Sequence, residues 1–347
     1  MAKIVLRDST VIGDYVKPYV VAEVNTSHGG SLDLARQMID RAKEAGCACV
    51  KFQSWSTESL YSRTFYDENP IAKRFVQKFS LSDARLLEMA EYCRSVGIAF
   101  ASTPYSNAEV DFLVEKGGAP FIKVASMDLV NYPFLRYIAK SGVPIVLSTG
   151  MGTMEEVRRA VAAIEDVGNP QICILHCIAI YPPELSTIRL NNILGLRVEF
   201  PRYPIGFSDH SLGSEMPIAS VALGAALIEK HLTLDRKKIG MDNQMATEPA
   251  EMRQLVQSCE NVHAALGGME RVVLPAELEQ LKKMRRSIVA TRDLPAGTVL
   301  QPGDLGAKRP GTGLPPEQLD TLPGRTLKNA VKADSLILGS DLALGCS

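Results

Sequence analysis

Residues 203–213 read YPIGFSDHSLG, a short apolar run that ends in Ser208, Asp209 and His210 before a turn at Gly213. Burying polar groups costs free energy unless each finds a partner. The run is therefore either a strand spilling into solvent or one whose end meets other polar groups. Seven further runs decide between these. They are PYVVAEV (18–24), ACVKFQ (48–53), IAFASTP (98–104), PFIKVAS (120–126), PIVLSTG (144–150), ICILHCIAIYP (172–182) and AALIEKHL (225–232). Segments such as LDLARQMIDRAKEAG (32–46) and TMEEVRRAVAAIEDVG (153–168) separate them, with apolar residues spaced by three and four and glycine near the stop. Alternating strands and amphipathic helices build a parallel sheet. Eight such units predict an α/β fold, a (β/α)8 TIM barrel.

Each run is apolar in its body and polar at its C-terminal end, contributing one or two of Glu23, Lys51, Gln53, Thr103, Lys123, Ser126, Ser148, Tyr181, Ser208, His210 and His231. In a barrel these ends converge on one face, where barrel enzymes carry their sites. Ser208 and His210 are then pocket residues, and the polar ending of 203–213 has a reason.

Composition narrows the function. At 347 residues, 46% hydrophobic and 22% charged, the chain can bury a large core in one large and one small domain. A net charge of -1 with no basic run leaves nucleic acid without an electrostatic footprint. The N-terminus lacks a signal-peptide core and no apolar run reaches membrane-spanning length, so we expect a cytoplasmic protein with no membrane partner. Seven cysteines without a C-x-x-C pair predict reduced, mostly buried thiols rather than a cysteine zinc site.

His210 and His231 end the seventh and eighth runs, neighbours in a barrel, so the two imidazoles can share one divalent ion, with Glu23 and Asp242 supplying oxygen directly or through water. His28, after the first run, is placed at the same mouth; His176 is structural and His263 has no assigned role. Lys51 and Lys123 sit inside apolar strands, where an ammonium needs an anion. With the hydroxyls of Thr103, Ser126, Ser148 and Ser208 they suit a phosphate and a carboxylate. Pairing of each lysine with Glu or Asp inside the barrel is the structural alternative. The turn Ser148-Thr149-Gly150-Met151-Gly152 leads to a helix at Thr153 whose first amides could help hold an anion.

The ordered motifs AEV...SHGGS, VKFQ, STPYS, FIKVASMDL, LSTGM, LHC...YP, FSDHSLG, ALGAALIEKHLTLD and KRPGTG resemble the N-acetylneuraminate (sialic acid) synthase family, which includes legionaminic and pseudaminic acid synthases. The resemblance implies a metal-assisted condensation of phosphoenolpyruvate with the aldehyde of an N-acetylmannosamine-type sugar, giving a nonulosonic acid and phosphate by C-O cleavage. It implies that Lys51, Thr103, Lys123, Ser126, Ser148 and Ser208 hold phosphoenolpyruvate. His210 and His231 would bind manganese, or magnesium or cobalt in its place. Gln53, Tyr181 and Asp242 would contact the sugar, and Glu23 would assist proton movement or order a metal-bound water. Departures gather at the sugar end: Asn25 stands where the family's first loop has glycine, Ala179 two residues before Tyr181, and Asn243 after Asp242.

After KKMRRS the pattern changes to short β-like runs broken by turns. We expect the barrel over residues 1–280 and a small, mostly-β domain over 281–347, preceding linker included. The latter resembles the antifreeze-like (SAF) domain that ends these synthases; no regular threonine-rich repeat suggests ice binding. The resemblance implies a domain-swapped homodimer in which Arg309 of KRPGTG reaches the sugar. Two other readings stay open on the residues alone. One is a Schiff-base aldolase using Lys51 or Lys123, the other a non-catalytic sugar-binding protein.

Overall fold

A computed structural model describes residues 1–343. The chain divides into two compact units, Met1–Gly267 and a second from Gly268 onward.

The first unit opens with a hairpin, β1 (Lys3–Val5) and β2 (Val11–Gly13), paired antiparallel. Eight parallel strands follow: β3 (Tyr19–Glu23), β4 (Cys49–Gln53), β5 (Ala99–Thr103), β6 (Ile122–Val124), β7 (Ile145–Ser148), β8 (Ile172–Cys177), β9 (Ile205–Asp209) and β10 (Leu227–His231). The ladder runs β5-β4-β3-β10-β9-β8-β7-β6, every pair parallel. Its two end strands, β5 and β6, lie against each other and close the circle. This is the expected barrel. The closing contact carries no ladder among the described residues, so the cylinder is nearly rather than fully bonded.

Side chains alternate along each strand, and the alternation explains both cores. Val20, Val50, Phe100, Ile122, Ile145, Ile174, Ile205 and Ile228 face out into the main apolar cluster with the surrounding helices. Val21, Cys49, Ala101, Phe121, Val146, Leu175 and Leu227 face in and share a second cluster with Ile4, Leu6 and Ile12 of the hairpin. The hairpin thus plugs the N-terminal end of the barrel, leaving only the opposite end open. At Gly206 the inward position is empty for a reason: a Cβ there would stand 2.5 Å from Leu175 Cδ2 and 2.6 Å from the carbonyl oxygen of Leu227.

Helices form where the spacing predicts them. Leu32–Glu44 starts on an Ser31 cap and buries Ala35, Met38, Ile39 and Ala42, an i, i+3, i+4, i+7 stripe. Met154–Glu165 begins with a capping box between Thr153 and Glu156. No helix of the described residues is long and apolar enough to cross a membrane. Cys47, Cys49, Cys93, Cys173, Cys177 and Cys259 are buried and unpaired; Cys346 lies outside the described residues.

The second unit carries a helix, Pro275–Met284, and an antiparallel pair, β11 (Ser287–Ala290) with β12 (Leu305–Lys308). Ile288, Ala290, Leu294, Leu300, Leu322, Leu327, Val331 and Ile337 form its small core. The helix-like PPEQLDTL contains one short 3-10 turn, Pro316–Gln318.

Candidate active site

Two residues beyond each inward apolar residue, the barrel interior turns polar. Glu23, Lys51, Thr103, Lys123, Ser148, Cys177, Ser208 and Glu229 occupy those positions, and all line a cavity of about 330 Å³ at the C-terminal strand ends. One further step of two brings Asn25, Gln53, Tyr105, Ala125, Ala179, His210 and His231 to its wall. Every candidate residue of the first unit except His28 lines this cavity, Ser126, Tyr181 and Asp242 included. Arg309 belongs to the second unit and is exposed there.

The floor is a charge cluster. Lys51 forms an ion pair with Glu23 and donates to Thr103 Oγ1 at 3.0 Å. Glu229, between the lysines, lies 3.4 Å from Lys123 Nζ and 3.6 Å from Lys51 Nζ, and accepts from Ser208 Oγ at 3.0 Å. Glu229 was not singled out from the sequence, although it stands two residues before His231 and so shares its face. Burial pushes its carboxyl up, but Lys123 and Lys51 outweigh burial and hold it at about 2. Burial pushes Lys51 down, and Glu229 and Glu23 more than reverse that. Lys123 stays lowered by burial, only partly offset by Glu229. Both lysines therefore have the carboxylate partners of the structural alternative, yet both face a cavity. Ser148 Oγ is buried there with no hydrogen-bond partner. A buried hydroxyl is seldom left unpaired without cause.

Above the floor stand the imidazoles, ring centroids 5.4 Å apart, with the Tyr181 ring 4.1 Å from that of His210. His210 Nδ1 lies 2.8 Å from the carbonyl oxygen of Ile178. A carbonyl only accepts, so Nδ1 carries the proton and Nε2 keeps its lone pair. Burial lowers His210, and burial aided by His210 lowers His231 further. His231 Nδ1 is 3.6 Å from Asp242 Oδ2, and Asn25 donates through Nδ2 to that same oxygen. Asn25 also donates its backbone N–H to Glu23 Oε1 at 2.8 Å. It thereby joins floor and wall. Among the described residues no three His, Cys, Asp or Glu side chains converge closely enough to enclose an ion unaided.

Several expectations are corrected. The sixth run is strand only to Cys177, so Tyr181 sits on the following loop, half exposed. Ser126 lies past the end of β6 in a 3-10 turn, where its Oγ accepts from Gly150 N at 3.0 Å. Glycine permits that approach, since a Cβ at 150 would fall 2.7 Å from the Ser126 hydroxyl. Of the amides at the start of Met154–Glu165, Thr153 N donates to Glu156 and Glu156 N to Thr153, so the capping box takes two of them. His28 does not line the mouth: it is buried, its ring 6.0 Å from Phe52. His176 is structural, its Nε2 2.7 Å from the carbonyl oxygen of Ile188 and its ring stacked on Phe207. Gln53 has little capacity left: Oε1 accepts from Trp55 and Tyr105, and Nε2 donates to Glu23.

Buried cations beneath paired imidazoles, at the one open end of a plugged barrel, place this chain among barrel enzymes. The comparison with known families narrows the class. The NeuB family profile matches residues 38–271, more than half of the chain, and the SAF domain profile matches 285–343. The chain belongs to the NeuB family of nonulosonate synthases. It is 33% identical to the N,N'-diacetyllegionaminic acid synthase of Legionella pneumophila, over 94% of this chain and 95% of that protein. It is 34% identical to the human N-acetylneuraminate-9-phosphate synthase, over 92% and 91%. The crystal structure of an N-acetylneuraminic acid synthetase from Leptospira borgpetersenii, solved with citrate, superposes with a TM-score of 0.74 at 32% identity. That match covers 80% of this chain and 95% of that one.

Proposed function

We propose that this enzyme condenses phosphoenolpyruvate with the open-chain aldehyde of an N-acetylmannosamine-type sugar, releasing phosphate by C-O cleavage. The observation that carries the reading is the cavity floor, two buried lysines beside an unpaired Ser148 hydroxyl. A phosphate and a carboxylate on one small molecule need cations and donors of this kind. Lys51, Lys123, Thr103, Ser126, Ser148 and Ser208 would hold them, with Glu229 and Glu23 keeping the ammonium groups charged until the anion arrives. C3 of phosphoenolpyruvate would attack the aldehyde carbon, water would add at C2, and phosphate would leave from that carbon. Glu23, ion-paired with Lys51 and bonded to Asn25 N, would assist proton movement or order a metal-bound water. Trp55 and Tyr105, packed beside Gln53, would restrict bulk water until attack is complete.

The imidazole pair fits a divalent ion. Both rings are buried and held neutral, and His210 is fixed in the tautomer that offers Nε2. His210 and His231 would hold manganese, or magnesium or cobalt, the remaining coordination falling to oxygen ligands. Such an ion supplies Lewis acidity toward the aldehyde oxygen. Gln53, Tyr181 and Asp242 as sugar contacts belong to the same reading, as do a homodimer and Arg309 acting on the sugar.

The test is phosphate release from phosphoenolpyruvate with an acetamido sugar and manganese, with and without chelator, in the wild type and His210→Ala. Metal-dependent release that His210→Ala abolishes, in protein of unchanged circular dichroism, is the expected result. Full activity of that variant, or of chelated enzyme, would remove the metal from the mechanism. Borohydride trapping of a lysine adduct would favour the Schiff-base aldolase instead.

A further inference from the structure

The loop after β3 and the loop after β10 meet beside the cavity in three adjoining bonds. Asn25 donates through Nδ2 to Asp242 Oδ2, Thr26 Oγ1 accepts from Met241 N at 2.9 Å, and Ser27 donates through Oγ to Asn243 Oδ1. Asn243 Nδ2 in turn reaches the carbonyl oxygen of Lys238 at 3.1 Å, so that amide is held at both ends. Asn25, Thr26 and Asn243 are buried, and Asn25, Met241 and Asp242 line the cavity. Two departures from the family pattern, Asn25 and Asn243, thus fall in one clasp.

Asparagine is a costly choice at position 25. Its φ of +33° lies in the left-handed region that favours glycine. Its Oδ1 is buried with no hydrogen-bond partner, and a buried polar atom left unpaired destabilises a fold. Glycine would relieve both costs and would keep the backbone N–H that Glu23 Oε1 accepts at 2.8 Å. What glycine cannot supply is the Nδ2 bond to Asp242, the carboxylate 3.6 Å from His231 Nδ1. Local cost of this kind gathers at functional sites, where the surrounding structure holds a group in place for its chemistry. Ahead of Asp242 the loop is exposed at Lys237, Lys238 and Ile239, so the clasp joins a solvent-facing segment to the buried first loop.

We infer that Asn25 and Ser27 are positioning residues: by clasping residues 241–243 they fix the Asp242 carboxylate beside His231, and they act on turnover through Asp242 without touching a substrate. The two amide atoms of Asn25 agree with this, one bonded to Asp242 and the other buried. The inference rests on the synthase reading above, in which Asp242 contacts the sugar. The clasp governs how the sugar is held and leaves the phosphoenolpyruvate floor unchanged.

The experiment compares the wild type with Asn25→Gly, Ser27→Ala, Asp242→Ala and the double variant Asn25→Gly/Asp242→Ala, each as the full chain. kcat/KM is read as phosphate release at saturating phosphoenolpyruvate with manganese. The acceptor is whichever the wild type turns over fastest among N-acetylmannosamine, its 6-phosphate and 2,4-diacetamido-2,4,6-trideoxymannose. Asn25→Gly is expected to lose about tenfold or more, the scale of one hydrogen bond to a charged group, and Ser27→Ala a smaller amount. Calorimetric affinity for phosphoenolpyruvate should stay within about threefold and the melting midpoint within about 3 °C. In the Asp242→Ala background Asn25→Gly should cost less than about twofold, because residues acting through one group do not add. Full activity of Asn25→Gly, or an equal loss in the two backgrounds, would overturn the inference and leave the synthase reading standing. Trypsin gives a readout that needs no turnover: Asn25→Gly and Ser27→Ala should be cut at Lys237 or Lys238 at least about threefold faster than wild type. An unchanged cleavage rate would overturn the clasp whatever the activity. No phosphate release from folded, metal-loaded wild type with any of the three sugars would overturn the synthase reading, and the role in turnover with it, whatever trypsin shows.

Discussion

Replacing Lys123 with methionine removes the floor cation whose partnering is the looser of the two. Lys51 is ion-paired to Glu23 and bonded to Thr103, whereas Lys123 has Glu229 at 3.4 Å. Methionine keeps most of the volume, so the ammonium is what is lost. Glu229 is not orphaned, because Lys51 remains 3.6 Å away and Ser208 still donates at 3.0 Å; the fold should persist. For the ligand the loss is larger. A unit charge about 4 Å from an anion contributes about 4 kcal/mol at an effective dielectric of about 20. At about 1.4 kcal/mol per factor of ten, affinity for phosphoenolpyruvate should fall by nearly three powers of ten. The chain has a single tryptophan, and Trp55 lines the cavity, so its fluorescence reports occupancy without a label. The reasoning is refuted if Lys123→Met binds phosphoenolpyruvate within about threefold of wild type while its circular dichroism is unchanged.

Two predictions concern the frame behind the site. Lys230 is fully buried on the far side of β10 from the cavity, donating to Asp209 Oδ2 at 2.6 Å. Lys230→Ala would strand a buried carboxylate and should cost about 3–5 kcal/mol in urea unfolding; an unchanged midpoint would show that water replaces the ammonium at no cost. Gly206→Ala should lose roughly 1–3 kcal/mol by overpacking the barrel interior between Leu175 and Leu227, and a thermal midpoint at or above wild type would mean the strand shifts freely to admit a methyl group.

Most of the cavity was legible because a strand has a period of two and a barrel gathers its C-terminal ends. Lys51 and Gln53, or Ser208 and His210, share a face for that reason alone. The same rule, carried through, would have found Glu229 from His231 and Asn25 from Glu23. Glu229 is less distinctive in the sequence, because a Glu-Lys pair inside IEKH reads equally well as ordinary strand polarity. Asp209 and Lys230 have the same residue types as the floor, but their parity turns them outward, where they satisfy each other. His28 misled because it follows the first strand directly, yet the turn through Asn25, at φ +33°, is compatible with a ring buried against Phe52.

The chain by itself determined the eight βα units, the face on which chemistry gathers and most of the groups there, because hydrophobic period and strand parity are local properties. Only the tertiary structure decided which charges meet. That Lys123 faces Glu229 rather than Glu23, that Asn25 holds Asp242 beside His231, and that Met127, Met151 and Met241 line the same cavity depend on strand register and loop paths. These are set by packing between residues more than a hundred positions apart, for which no short stretch of sequence carries a signal.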